Sequence, residues 1–302
     1  MTIDALAPFR WLRSPDGDRG DVLGEIYCVT LLRGLDPAEV LRRFGARTST
    51  QMSFDELDLA VCDFTMATGG GEGGGWVGVI AAGDGCAAVE PMGWSGLDGP
   101  TLARLSVGTD VVSVLRHDYA CDYFHYAADG LVVTAFDPAA PEHRFGADAD
   151  RLADLMREFG LPLEEGSEEE WDQRYEDLSE HGLERMFAMG ARLTGVTFTA
   201  DLLNGPLLVG AIAVQRLPLR GLPGARLPCR RRSSLECWQE CVQVCRLTQI
   251  LDILCPLGGR TAEPRAVALG AAAWPLQNRG RYPGGSRSEV SRHVARCASY
   301  RS

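Results

Sequence analysis

The chain has 302 residues, 30 of them basic and 41 acidic, for a formal net charge of −11. Every basic residue is arginine, so Schiff-base chemistry, a P-loop lysine and a kinase-type lysine are all excluded. The charge is divided: residues 1–214 carry 15 Arg against 36 Asp and Glu, a net of −21, whereas residues 215–302 carry 15 Arg against 5 acids, a net of +10. All 10 Phe and all 7 Met precede that boundary and 6 of the 10 Cys follow it. This break predicts an N-terminal segment over 1–19, a domain over 20–214 with ample apolar content for a core, and an Arg/Cys/Pro-rich tail over 215–302.

Residues 24–32 read as a central strand, because Ile26, Tyr27, Val29, Leu31 and Leu32 leave both faces largely apolar. Asp36-Pro37-Ala38-Glu39 supplies an N-cap, a first-turn proline and a reciprocal glutamate for a short helix ending near Gly45, with Val40, Leu41 and Phe44 as its apolar stripe. Ser53-Phe54-Asp55-Glu56 repeats the capping box before a second short helix. Residues 76–82 and 86–89 flank Gly83-Asp84-Gly85 as a hairpin. Residues 110–116, 121–127 and 131–136 follow as three strands, the last two joined at Asp129-Gly130. Leu152, Leu155, Met156 and Phe159 mark a helix stopped by Gly160. Ser167 opens another, expected to break at His181-Gly182. Consecutive strands joined by tight turns, with helices before and after them, predict an α+β domain: an antiparallel sheet of hairpins and a three-strand meander, flanked by helices and followed by a mostly irregular basic tail.

Several short runs resemble one family. Tyr27-Cys28-Val29-Thr30, Arg33-Gly34-Leu35-Asp36, residues 39–45, 75–79 and 108–114, Asp137-Pro138, Leu193-Thr194-Gly195-Val196 and Gly205-Pro206-Leu207 resemble an uncharacterised actinobacterial domain-of-unknown-function family. The resemblance covers about residues 26–213 and stops before the tail. It implies organisation and no mechanism.

Candidate chemistry is sparse. The run Gly69-Gly70-Gly71-Glu72-Gly73-Gly74-Gly75 has dinucleotide-fingerprint spacing, but it precedes a strand and opens no helix, so it reads as a flexible loop. Glu164, Glu165, Glu168, Glu169, Glu170 and Asp172 share one solvated environment and suit a helix N-terminus better than acid–base catalysis or calcium. None of the five histidines pairs with another at metal-binding helical spacing. Gly93-Trp94-Ser95-Gly96 lacks the spacing of a nucleophile elbow. Strand alternation puts Tyr123 and His125 on one face, and Arg116 is expected across from it, so Arg116, Tyr123 and His125 form the candidate binding set. A structural histidine is the commoner outcome for such a position. No catalytic residue, metal or cofactor is assigned.

Asp4 and Pro8 interrupt any secretory signal, and the longest apolar runs fall short of the roughly 20 residues that cross a bilayer, so the expected compartment is the cytoplasm. There, Cys28, Cys62, Cys86 and Cys121 read as small buried residues instead of a disulfide framework. In the tail, Cys237, Cys241 and Cys245 at helical spacing lie too far apart for one zinc. Two accounts of that tail stand: a natural disordered extension, or a GC-rich coding region read out of register. The functional expectation is a non-enzymatic cytoplasmic interaction module, regulatory or toxin-neutralising, whose acidic domain attracts a basic protein and neither nucleic acid nor membrane. The alternative is a small hydrolase or transferase built on Arg116, Tyr123 and His125. Oligomeric state is not encoded in any pattern found.

Overall fold

The computed structural model describes residues 4–13, 22–69, 73–117, 122–164 and 166–212. The chain divides into two units, Met1–Pro218 and Leu219–Ser302. The second unit lies outside the described residues, as do the expectations for the tail and its cysteines.

Eight strands form one sheet: β1 (Ile26–Arg33), β2 (Thr50–Met52), β3 (Trp76–Ala82), β4 (Gly85–Pro91), β5 (Asp110–His117), β6 (Tyr123–Ala128), β7 (Leu131–Phe136) and β8 (Leu207–Ala211). Their order is β2-β8-β3-β4-β1-β5-β6-β7 and every pairing is antiparallel. The helices are α1 (Pro37–Phe44), α2 (Phe54–Thr68), α3 (Gly99–Leu105), α4 (Ala153–Glu158) and α5 (Glu168–Thr194). The class is α+β, an antiparallel sheet with flanking helices.

Burial on both sides of β1 explains its apolar sequence. Tyr27, Val29 and Leu31 face a core shared with Leu57 and Val61 of α2 and Met186, Phe187 and Met189 of α5. Leu32 faces the other way, toward Val40, Leu41 and Phe44 of α1 and Leu102 and Leu105 of α3. Local chemistry starts the helices as the sequence predicts. The Asp36 side chain accepts from the Ala38 and Glu39 amides, and Ser53/Glu56 and Ser167/Glu170 close reciprocal capping boxes. Asp129 and Gly130, with φ of 49° and 82°, make the β6–β7 turn.

Four features differ from the sequence reading. The helix α5 runs unbroken through His181-Gly182. A glycine inside a helix costs about 1 kcal/mol relative to alanine, but Gly182 is buried with Pro138 against it, a methyl there falling 3.1 Å from the proline Cβ, and Leu183, Met186 and Phe187 are anchored just beyond. The 3-10 segment Ala7–Arg13, within the stretch set apart as 1–19, contributes Phe9 and Leu12 to the core, with Phe9 stacked on Phe187. Part of the glycine run is packed: a methyl at Gly75 falls 2.7 Å from the Phe64 ring, and one at Gly74 overlaps the Pro91 carbonyl. Cys62 is disulfide-bonded, because burial alone does not distinguish a thiol from a half-cystine, whereas Cys28 and Cys86 are free and buried. No helix among the described residues is long and apolar enough to cross a membrane.

Candidate functional site

Strand register assembles a polar row that no single segment contains. Cys28 pairs with Glu90 of β4, Thr30 with Ser113 of β5, and Ser113 with His125 of β6. Alternation puts all five side chains on the face opposite Tyr27, Val29 and Leu31. They are sealed, with exposures of 1% for Glu90, 0% for Cys28, 1% for Thr30, 0% for Ser113 and 4% for His125.

A short loop closes over Glu90, Cys28, Thr30 and Ser113 of the row. Met92 enters it at φ 51°, a left-handed conformation uncommon for a side chain of that size, and Ser95–Leu97 forms a single 3-10 turn. The Glu90 carboxylate accepts from Ser95 N at 2.9 Å and from Gly96 N at 2.7 Å. Ser113 Oγ donates to the Gly96 carbonyl at 2.8 Å, which leaves Thr30 Oγ1 to donate to Ser113 Oγ at 3.0 Å. The close approach requires glycine. A methyl at Gly96 overlaps Thr30 Oγ1 and sits 3.0 Å from Glu90 Oε1 and 3.2 Å from Cys28 Sγ, and one at Gly93 sits 2.8 Å from Glu90 Cβ. Leu97 joins Leu115 and Cys28 in a small apolar cluster with Tyr123 against it.

Burial dominates the electrostatics. It pushes the Glu90 carboxyl up to about 7, against the opposing pull of the Gly96 and Ser95 hydrogen bonds. Burial, reinforced by the Glu90 charge, raises the Cys28 thiol well above its ordinary value. Burial alone lowers His125 to about 4, so its imidazole is neutral at physiological pH. His125 Nδ1 has no hydrogen-bond partner, and the ring packs edge-on to Tyr123 at 6.3 Å and Phe145 at 6.0 Å.

The sequence-predicted set divides between two faces. Tyr123 and His125 share a face, whereas Arg116 pairs in register with Tyr27 and stands on the opposite one. The reason is a one-residue offset: Tyr123 lies across from Leu115, so its cross-strand neighbour is one position short of Arg116. Arg116 instead meets Asp122 at 3.4 Å. Sequence reasoning missed Cys28, Thr30, Glu90 and Ser113. The available signal was the placement of small polar residues within apolar strands, at positions 28 and 30 of β1 and 113 of β5.

The row can hold and exchange protons, but a raised thiol pKa makes Cys28 a poor nucleophile while the loop is shut. No group of three or more His, Cys, Asp or Glu among the described residues is placed to hold a metal ion. Elsewhere, a shallow groove of about 370 Å³ lies between α4 and α5, with Leu161, Leu163 and Leu178 beside Arg157 and Asp177.

An eight-stranded antiparallel sheet with helices on both faces, and a sealed polar row beneath a glycine-bounded loop, defines the class of domain. The chain belongs to a family of unknown function, DUF6461, whose family model matches residues 2–215 and leaves the tail unmatched. Neither a curated protein nor a solved structure matches it.

Proposed function

We propose that the domain is a non-enzymatic, cytoplasmic protein-interaction module of regulatory or toxin-neutralising type, and that its partner is a basic protein. One observation supports the reading above others: α2 turns Asp55, Glu56, Leu59, Asp63 and Met66 to solvent, with Leu59 36% and Met66 60% exposed. Apolar side chains set among acids suit a partner surface that is itself basic and partly apolar. No basic residue occurs between Arg47 and Arg104, so the segment containing this helix has no Lys or Arg of its own to offset its acids. Capture from a lysate at low and moderate salt, with wild type and an Asp63→Arg, Met66→Ser double variant, tests the reading. Salt-sensitive capture of a basic protein, at least tenfold weaker in the variant, is expected. Equal capture by both proteins refutes it.

One observation favours the enzymatic alternative, a small hydrolase or transferase: the neutral imidazole of His125, with its unpartnered Nδ1, stands on one face with Tyr123. Arg116 has no place in that version, because it stands on the other face. An activity screen of wild type and His125→Ala separates the readings. Robust turnover that disappears in the variant replaces the interaction module with an enzyme.

A further inference from the structure

A carboxylate sealed to 1% exposure is uncommon in a folded protein, and no cation among the described residues stands beside Glu90. The loop over the row is organised around this group. Both carboxylate oxygens accept loop amides, the Glu90 carbonyl accepts Gly93 N at 3.2 Å, and Gly93 and Gly96 leave no room for a side chain. Beyond Glu90, residues 92–97 are held by Met92 N donating to the Ile26 carbonyl at 2.8 Å, by Met92 against the larger core, by Ser113 Oγ donating to the Gly96 carbonyl, by a hydrogen bond of Gly96 with Cys28, and by Leu97 against Cys28 and Leu115. A turn this short has little cooperative stability of its own.

Among the described residues, the groups that contact Glu90 are uncharged dipoles. From β1 it meets the Cys28 thiol, and the loop offers the Ser95 and Gly96 amides and the Ser95 hydroxyl. The strand β3 contains no ionisable residue, and β5 presents Val111, Ser113, Leu115 and, at its end, His117 to this face. Beyond them β6 presents Tyr123 and His125, the latter neutral. Ionised Glu90 under a closed loop is therefore a buried charge stabilised only by dipoles, whereas a displaced loop lets water solvate it.

We propose that Glu90 is a proton-linked latch: residues 92–97 lie closed over Glu90, Cys28, Thr30 and Ser113 while Glu90 carries its proton, and ionisation releases the loop and opens Cys28, Thr30 and Ser113 to solvent. A neutral carboxyl keeps its carbonyl oxygen as the acceptor for one loop amide and its hydroxyl oxygen as a weaker acceptor for the other, at a far smaller desolvation cost. Burial holds the closed-state group at about 7, against 4.5 for a solvated glutamate. Below pH 4.5 both states are protonated, between 4.5 and 7 each unit of pH favours the open loop tenfold, and above 7 the gain is complete. The total is about 300-fold in the opening equilibrium, the equivalent of the roughly 2.5 units between those values.

The test is amide hydrogen exchange at Ser95 and Gly96 in the full chain between pH 5 and 7.5, corrected for the intrinsic chemical rate. Alkylation of Cys28, corrected for thiolate fraction, serves as a second probe of access. Wild type is expected to lose protection about tenfold per unit up to about pH 7 and then level off, with Cys28 reactivity rising in parallel. Glu90→Gln, which cannot ionise, is expected to show no such dependence. A flat wild-type profile, or a wild-type slope retained in Glu90→Gln, overturns the latch. If that variant does not fold, carbon NMR titration of the Glu90 carboxyl in the wild type decides. A midpoint well above 4.5 that coincides with the exchange profile supports the latch, and a midpoint near 4.5 overturns it.

Discussion

Two buried groups on one sheet face titrate in opposite senses, which gives a global stability signature that either one alone would not. Glu90 binds its proton more tightly in the folded chain, at about 7, than in the unfolded one, at 4.5. Its contribution is thus complete below pH 4.5 and lost as the pH rises through 7. His125 binds its proton more weakly when folded, at about 4 against 6.5. Its contribution is complete above pH 6.5 and lost as the pH falls through 4. Each displacement spans roughly 2.5 units, about 3 kcal/mol at 1.36 kcal/mol per unit. Between pH 4.5 and 6.5 the two slopes, each about 1.4 kcal/mol per unit, have opposite signs and cancel. Urea unfolding from pH 4.5 to 7.5 in wild type, Glu90→Gln and His125→Phe exposes them, since every other titrating group is common to all three and drops out of the differences. Relative to wild type, Glu90→Gln should gain stability as the pH rises and His125→Phe should lose it. Parallel profiles in the three proteins refute the claim that these groups titrate from sealed positions.

Gly96→Ala should destabilise the domain by about 1 to 3 kcal/mol, because the added methyl overlaps Thr30 Oγ1 and displaces the loop from Glu90. Gly99→Ala, at the exposed start of α3 with nothing within 4 Å, should be neutral or slightly stabilising. Equal melting temperatures for the two variants contradict the packing argument. Deleting residues 215–302 should leave a unit that melts cooperatively within a few degrees of the full chain, since the eight strands of the sheet and the helices packed on it among the described residues end by Ala211 and exposed charge contacts contribute only about 0 to 1 kcal/mol each. An insoluble or noncooperative product refutes that expectation.

Legibility in the sequence followed the range of the interaction. Caps and turns are decided within four residues, so Asp36, Ser53, Ser167 and the Asp129-Gly130 turn were readable directly and the structure places them as expected. Sheet order is decided by distant partners. The strand β8 inserts between β2 and β3 from the end of the domain, and β1 sits between β4 and β5, neither adjacent to it in sequence. The polar row was illegible for the same reason, since its five side chains come from four strands and meet only once that order is known. Arg116 shows how fine the limit is, because an offset of one residue carried it to the other face. The Gly93-Trp94-Ser95-Gly96 run lacks the spacing of a nucleophile elbow, and nothing local in it signals a structural role. Its glycines are needed instead for close approach to Glu90, Thr30 and Cys28.

The interaction surface and the latch are physically separable. The inner face of α2 packs, through Leu57 and Val61, on the sheet face of Tyr27, Val29 and Leu31, whereas Glu90, Cys28, Thr30, Ser113 and His125 stand on the other face, the first four beneath residues 92–97. The sheet therefore stands between the exposed acids of α2 and the buried carboxylate of Glu90. Substitutions at Asp63 and Met66 leave every hydrogen bond to Glu90 in place, and Glu90→Gln leaves the charge and shape of the outer face of α2 intact. If loss of capture and loss of the pH-dependent opening segregate between these variants, the two properties belong to different faces. If Glu90→Gln also abolishes capture, the partner engages the loop side, where Trp94 is 38% exposed, and the docking surface must be moved there from α2.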